Sequence, residues 1–231
     1  MKSISILSVG GSIVAPDNPD ASFIKDICSL LKEITDKHDK KLILIIGGGA
    51  PCRIYQKALR EITDGECSSS GLDLIGIRAT HLNAQLVKES LGNYCTDPLV
   101  TDPSKDIEFT GKILVGAGWK PGFSTDNIAV LLAEKLGAGQ IINLSNIAKV
   151  YSDDPKKNPD AVPLDYISWD DYIAMVGDEW TPGKNSPFDP VATKKAKELD
   201  LQVITAEGRD LENVRDILTG KTFSGTVMGR K

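Results

Sequence analysis

The chain has 231 residues, 41% hydrophobic and 26% charged, an ordinary globular balance with enough apolar material to bury a sheet between helical layers. Its formal net charge of −5 and lack of a basic stripe argue against a nucleic-acid partner, whereas a nucleotide needs only a few local cations and backbone amides. Cys28, Cys52, Cys67 and Cys95 are widely spaced with no Cys-x-x-Cys pair, which speaks against a zinc site and for reduced thiols. No run reaches membrane-spanning length and no signal-peptide pattern opens the chain, so the expectation is a cytoplasmic protein without a membrane partner.

Residues 4–9 read as a first strand, followed by a turn at Pro16-Asp17-Asn18-Pro19-Asp20. A helix is predicted from Ala21, with Phe23, Ile24, Ile27, Leu30, Leu31 and Ile34 on one face. Residues 42–46 are continuously apolar, as in a strand covered on both sides, and run into Gly47-Gly48-Gly49 with Pro51 near a helix start. A long helix is predicted over 72–91, and strands over 113–115, 140–144 and 201–205. Ser124 or Thr125 caps a helix carrying Ile128, Leu131, Leu132 and Leu136. Asp189-Pro190 reads as a cap and first helical residue of a helix reaching about 199, and the last helix covers 211–218. The alternation predicts an α/β fold with a mainly parallel sheet, read as one domain over residues 1–231 without repeats or linkers.

Two of the strands end in glycine turns, Val9-Gly10-Gly11-Ser12 and Ile46-Gly47-Gly48-Gly49. At the carboxyl edge of a parallel sheet, such turns let backbone amides approach an anion. Neither is a Walker A or a Gly-x-Gly-x-x-Gly loop, and each alone reads first as a tight turn; two in succession, each after a buried strand, bring the phosphate reading level with it. Arg53, one helical turn past Gly49, is placed to fork onto a phosphate or else to sit on the surface. A third loop, residues 116–126, holds glycines, Trp119 and Lys120 before its Ser-Thr-Asp end, more than a plain strand-to-helix connection needs.

With these residues in place, the sequence resembles the amino-acid-kinase superfamily, and within it the archaeal-type UMP kinases. The likeness runs through Val9-Gly10-Gly11-Ser12, Gly47-Gly48-Gly49-x-x-x-Arg53-x-Tyr55 and Asp73-Leu74-Ile75-Gly76-Ile77-x-Ala79-Thr80-x-Leu82-Asn83-Ala84. It continues through Pro121-Gly122-x-Ser124-Thr125-Asp126, Tyr151-x-x-Asp154-Pro155 and Asp189-Pro190-x-Ala192. The resemblance implies a three-layer αβα sandwich and phosphoryl transfer from Mg-ATP to UMP. By that resemblance Gly48, Asp73, Gly118, Trp119, Lys120, Pro121, Gly122, Phe123, Ser124 and Thr125 line the UMP pocket. Gly10, Gly11, Ser12, Gly49 and Arg53 face the ATP phosphates, while Ser145, Asn146, Tyr151 and Asp154 hold adenosine. Arg53, Asp126 and Lys149 are the catalytic candidates, with ATP and Mg²⁺ as cofactors and a homo-oligomer, commonly a hexamer, as the assembly.

Two departures stand out. Ser8 replaces a lysine that many superfamily members carry before the first glycine pair, and Ser145-Asn146-Ile147-Ala148-Lys149-Val150-Tyr151 stands where the family reads Thr-Asn-Val-Asp-Gly-Val-Tyr. Lys149 either swings toward the phosphates in place of the missing lysine, obstructs the nucleotide, or faces solvent. Two alternatives follow: a superfamily kinase for another acceptor, or a nucleotide- or oxyanion-binding protein without catalysis. Isopentenyl phosphate kinases carry a histidine where this chain reads Ala50-Pro51-Cys52-Arg53, which disfavours that acceptor. His81 is read as a packed or interface residue and His38 as solvated. Cys52, at a helix start where a thiol pKa can fall, is read as structural. Trp169, Trp180 and residues 177–185 belong to the least family-like stretch, with a lid or an oligomer contact as its two readings.

Overall fold

A computed structural model describes residues 3–155, 157–177 and 186–230. In chain order it has β1 (Ser3–Val9), α1 (Gly11–Val14), α2 (Ala21–Lys37), β2 (Lys40–Ile46), α3 (Gly49–Ile62), α4 (Ser69–Leu91) and β3 (Ile113–Gly116). There follow α5 (Thr125–Leu136), β4 (Gln140–Ser145), β5 (Val150–Tyr151), β6 (Pro163–Leu164), β7 (Tyr166–Ile167) and α6 (Trp169–Val176). The chain closes with α7 (Pro190–Glu198), β8 (Gln202–Glu207), α8 (Leu211–Thr219) and β9 (Thr226–Gly229).

Among the described residues the main sheet runs β3-β2-β1-β4-β8-β9-β7. Its pairs are parallel except β8 with β9, and β5 and β6 form a separate antiparallel pair. Strand residues alternate between two cores, as a pleated strand requires. Leu42, Leu44 and Ile46 join α2, α4 and α8 on one face, while Ile43 and Ile45 join α5, α6 and α7 on the other. This is the expected αβα sandwich. Each buried aliphatic side chain contributes roughly 1.5–3 kcal/mol of transfer free energy, so the doubly covered β2 anchors the sheet.

The differences from the sequence reading have local causes. α4 begins at Ser69 rather than 72, because the Ser68 hydroxyl accepts the Gly71 N–H at 3.0 Å and caps the helix earlier. The turn after β1 tightens into α1, and α3 starts at Gly49, ahead of Pro51. The short strands β5, β6, β7 and β9 carry too few residues to show a period, and their pairing is set by tertiary neighbours.

Candidate active site

The parallel register brings the carboxyl ends of the central strands to one edge. Val9 aligns with both Ile46 and Leu144, Ile45 with Gly116, and Ser145 with Glu207. The two glycine turns touch there: a Cβ added to Gly11 would lie 2.0 Å from the Gly49 nitrogen. Gly49 adopts φ +64, a left-handed conformation that disfavours side chains. Asn83 on α4 donates through Nδ2 to the carbonyls of Gly47 and Gly48, at 2.9 and 3.0 Å. With those carbonyls held, the amides of Gly48 and Gly49, like those of Gly11 and Ser12, have no backbone acceptor among the described residues. Four such amides on two touching turns, beside the amino terminus of α3, are groups of the kind that suit an anion.

Arg53 projects from the second turn of α3 and is steadied by a 3.2 Å hydrogen bond from Nη2 to the Pro16 carbonyl. Arg209 follows Gly208 at the end of β8. Its Nη2 donates to the Ile13 carbonyl at 3.2 Å and to Asp20 Oδ2 at 2.9 Å, and its guanidinium lies 5.4 Å from the Phe23 ring centre. It braces α1 against α2, a role that no motif in the sequence signalled.

The third glycine loop is fastened to α4. Gly118 N–H donates to Thr80 Oγ1 at 2.9 Å, His81 Nε2 lies 2.7 Å from the Gly118 carbonyl, and Gly122 N–H donates to Asp73 Oδ2 at 3.0 Å. Trp119 and Phe123 meet edge to face with centres 4.9 Å apart, and Lys120 Nζ lies 3.9 Å from the Trp119 ring centre. Pro121 and Gly122, the latter at φ +83, complete the turn. Ser124 caps α5 by accepting the Asn127 N–H at 3.2 Å, so Thr125 opens the helix.

Asp126, in the first turn of α5, retains some exposure while the packed protein around it withdraws water from its carboxyl. Its Oδ1 accepts from the Ser8 hydroxyl at 3.1 Å and its Oδ2 from the Asp189 N–H at 3.1 Å. Burial pushes its pKa up to about 6, aided by the neighbouring Asp189 charge and opposed by the two hydrogen bonds. Asp189 is itself fixed, since its Oδ1 accepts the Ala192 N–H at 2.8 Å, capping α7, and Asn127 Nδ2 at 3.0 Å. Sequence reasoning found Asp189 as a cap and missed its hold on Asp126.

Beyond β4, the Ser145 hydroxyl donates to Asn146 Oδ1 at 3.4 Å, and Tyr151 lies in β5. Asp154 heads a turn in which its carbonyl accepts the Asn158 N–H at 2.8 Å and its carboxylate lies 3.7 Å from Lys157. Lys149 forms an ion pair with Asp165, so the structure places its ammonium on a carboxylate rather than in open solvent. Cys52 packs beneath Gly48 and Gly76, and burial raises its thiol pKa, the reverse of the helix-start effect. Trp169 is buried and bonded to the Leu201 carbonyl, whereas Trp180 and residues 178–185 lie outside the described residues. An open depression of about 320 Å³ between α2 and α8 is lined by Asp26, Glu33 and Arg215 and by none of the glycine-loop residues.

A mainly parallel αβα sheet with paired glycine turns at one strand edge is a frame that suits a phosphate, and the model of the Amino acid kinase family matches residues 3–205. The chain belongs to this family. It is 36% identical over 227 residues to the uridylate kinase of Thermococcus onnurineus, covering 96% of this chain and 98% of that one. The uridylate kinase of Methanococcoides burtonii is 34% identical, with 92% and 90% covered. The crystal structure of uridylate kinase from Archaeoglobus fulgidus superposes with a TM-score of 0.82 at 29% identity, covering 99% of this chain and 100% of that one.

Proposed function

We propose that this protein transfers the γ-phosphoryl group of Mg-ATP to the 5′-phosphate of UMP, giving UDP. One observation carries the reading: α4 holds the Gly47–Gly48 turn that leads into Gly49 through Asn83 and the 118–125 loop through Asp73, so one helix sets the spacing between donor cradle and acceptor pocket. The uridylate kinases similar to this chain over nearly its full length support UMP over other acceptors.

The ionised acceptor phosphate needs no strong base, so catalysis rests on alignment and positive potential. In this reading Gly10, Gly11, Ser12 and Gly49 cradle the ATP phosphates, Arg53 spans them, and Ser145, Asn146, Tyr151 and Asp154 receive adenosine. Gly48, Asp73 and residues 118–125 bind UMP. Asp126 orders the groups around the moving phosphoryl, and Lys149 reaches it by leaving its exposed partner, Asp165. In this reading the nucleotide phosphates would carry the Mg²⁺, as they do for a hard cation that keeps several waters. Bound there, the ion neutralises developing phosphoryl charge.

The same reading takes residues 1–231 as one kinase domain acting in the cytoplasm. No helix among the described residues is long and apolar enough to cross a membrane. It also takes the protein as a homo-oligomer, six subunits being the family habit. Ile54, Tyr55 and Ile62 on α3 and Leu74, Leu82 and Leu86 on α4 are exposed, an apolar strip suited to a second copy. Sedimentation of the wild type and of Ile54→Asp tests the assembly; a monomeric wild type rejects it.

The decisive assay couples ADP release to a screen of nucleoside monophosphates and isopentenyl phosphate. Transfer to UMP above all others is the expected result. Transfer to another acceptor alone moves the assignment, and ATP binding without transfer to any acceptor makes the protein a non-catalytic binder.

A further inference from the structure

Asp73, Thr80 and His81 sit seven and eight residues apart on α4, a spacing that places them on one helix face. All of them touch the loop after β3, but they differ in what they hold. Thr80 Oγ1 spends its only proton on the Ile77 carbonyl at 2.7 Å, so toward Gly118 it can only accept, and it takes that residue's N–H. The Gly118 carbonyl can only accept in turn, so the proton between it and His81 resides on Nε2. Nδ1 is then the acceptor, with Arg78 Nη1 at 3.4 Å behind it. The main chain of Gly118 is thus held at both its N–H and its C=O by consecutive side chains of one helix. A Cβ at Gly118 would stand 2.9 Å from Thr80 Oγ1, so the grip also requires glycine there.

We propose that His81 is a positioning residue for the acceptor pocket: its Nε2–H, acting with the Thr80 hydroxyl, fixes the entry of the 118–125 loop and thereby the placement of the acceptor. This rests on the reading of that loop as the acceptor site. His81 touches neither glycine turn of the donor cradle through any hydrogen bond, so its effect falls on one substrate.

The test uses the full-length protein with His81→Phe, which keeps a ring and removes the donor, and His81→Gln, which returns an N–H. Steady-state KM values for UMP and ATP are measured beside amide hydrogen exchange of the 117–124 segment. His81→Phe should raise the UMP KM roughly 10-fold, speed exchange in that segment and leave the ATP KM within about 2-fold, as expected when one positioning hydrogen bond is lost. His81→Gln should recover most of both effects. Unchanged exchange in His81→Phe, or an equal rise of both KM values, overturns the proposal. If wild type transfers nothing to UMP while His81→Phe still accelerates exchange, the grip stands and the acceptor assignment falls.

Discussion

The Ser8 hydroxyl lies 3.1 Å from Asp126 Oδ1 and donates to it, so the serine that stands where many superfamily members carry lysine is tied to the carboxylate in the first turn of α5. The other carboxylate oxygen takes the Asp189 N–H at 3.1 Å. A serine here supplies a hydrogen bond without a charge, so no cation from this position offsets the burial of Asp126.

Asp126→Asn tests that account on two axes. Folding raises this carboxyl from 3.8 to about 6. Below the lower value both states are protonated and folding bears no penalty. Between the two values the native state holds more protons, so stability falls as pH rises, and above 6 the penalty is complete. Asparagine can match both partners, its oxygen on the Asp189 N–H and its amide on Ser8 Oγ. Discounted for partial exposure, the variant should be more stable at pH 7.5 by on the order of 1–2 kcal/mol and lose the slope between pH 4 and 6. Its kcat should drop at least ~10-fold, and the acid limb of the rate profile near pH 6 should shrink to what titration of the acceptor phosphate itself leaves. Urea melts across pH and rate profiles check both; a variant as active as wild type removes Asp126 from the mechanism.

Gly11→Ala puts a methyl group 2.0 Å from the Gly49 nitrogen and 2.8 Å from that of Gly48, where the neighbours are backbone and cannot swing aside. Separating the two turns should cost roughly 1–3 kcal/mol and spread the amide cradle. The expected outcome is a lower melting temperature and loss of ATP-induced stabilisation. Gly139→Ala, with nothing within 4 Å of the added carbon and no left-handed φ, serves as the control. ATP binding that survives in Gly11→Ala would clear this turn of any role in holding the phosphates.

The periodic elements were legible: the apolar face of α2 and the continuous run of β2 announce themselves, and both are buried as read. The glycine turns were legible as a pair because each follows a buried strand. What escaped was long-range pairing. Asn83, His81 and Asp189 act through bonds spanning 35 to 63 positions, which no local window can show. Arg209 reaches back 196 and 189 positions to Ile13 and Asp20. Only α4 carried a usable hint, since Asp73, Thr80 and His81 share one face by spacing alone.

Lys149, 25% exposed, pairs with Asp165, whose side chain is 86% exposed, so the pair is open to water on its carboxylate side. Such pairs contribute about 0–1 kcal/mol, and thermal motion or an incoming phosphate opens them readily. Lys149→Ala should therefore leave the melting temperature nearly unchanged while lowering kcat ~10-fold, if its ammonium replaces the lysine absent at Ser8. Asp165→Ala, which frees the ammonium, should match or exceed wild-type turnover. Full activity in Lys149→Ala would assign it to surface pairing alone.

Asp73 separates loop-holding from ligand-holding, because one carboxylate oxygen already accepts the Gly122 N–H at 3.0 Å. In Asp73→Asn the amide oxygen can keep that bond while the negative charge that would meet a ribose hydroxyl is gone. In Asp73→Ala both are lost. The UMP KM should rise in both variants and further in alanine, with ATP kinetics nearly unchanged, since Asn83 rather than Asp73 holds the Gly47–Gly48 turn that leads into Gly49. Thermal shifts give a second reading: a ligand at 100 times its Kd adds about 2.7 kcal/mol, so UMP should stop protecting Asp73→Ala while ATP still protects it. Equal loss of protection by both nucleotides would mean that α4 does not divide the cleft into donor and acceptor halves.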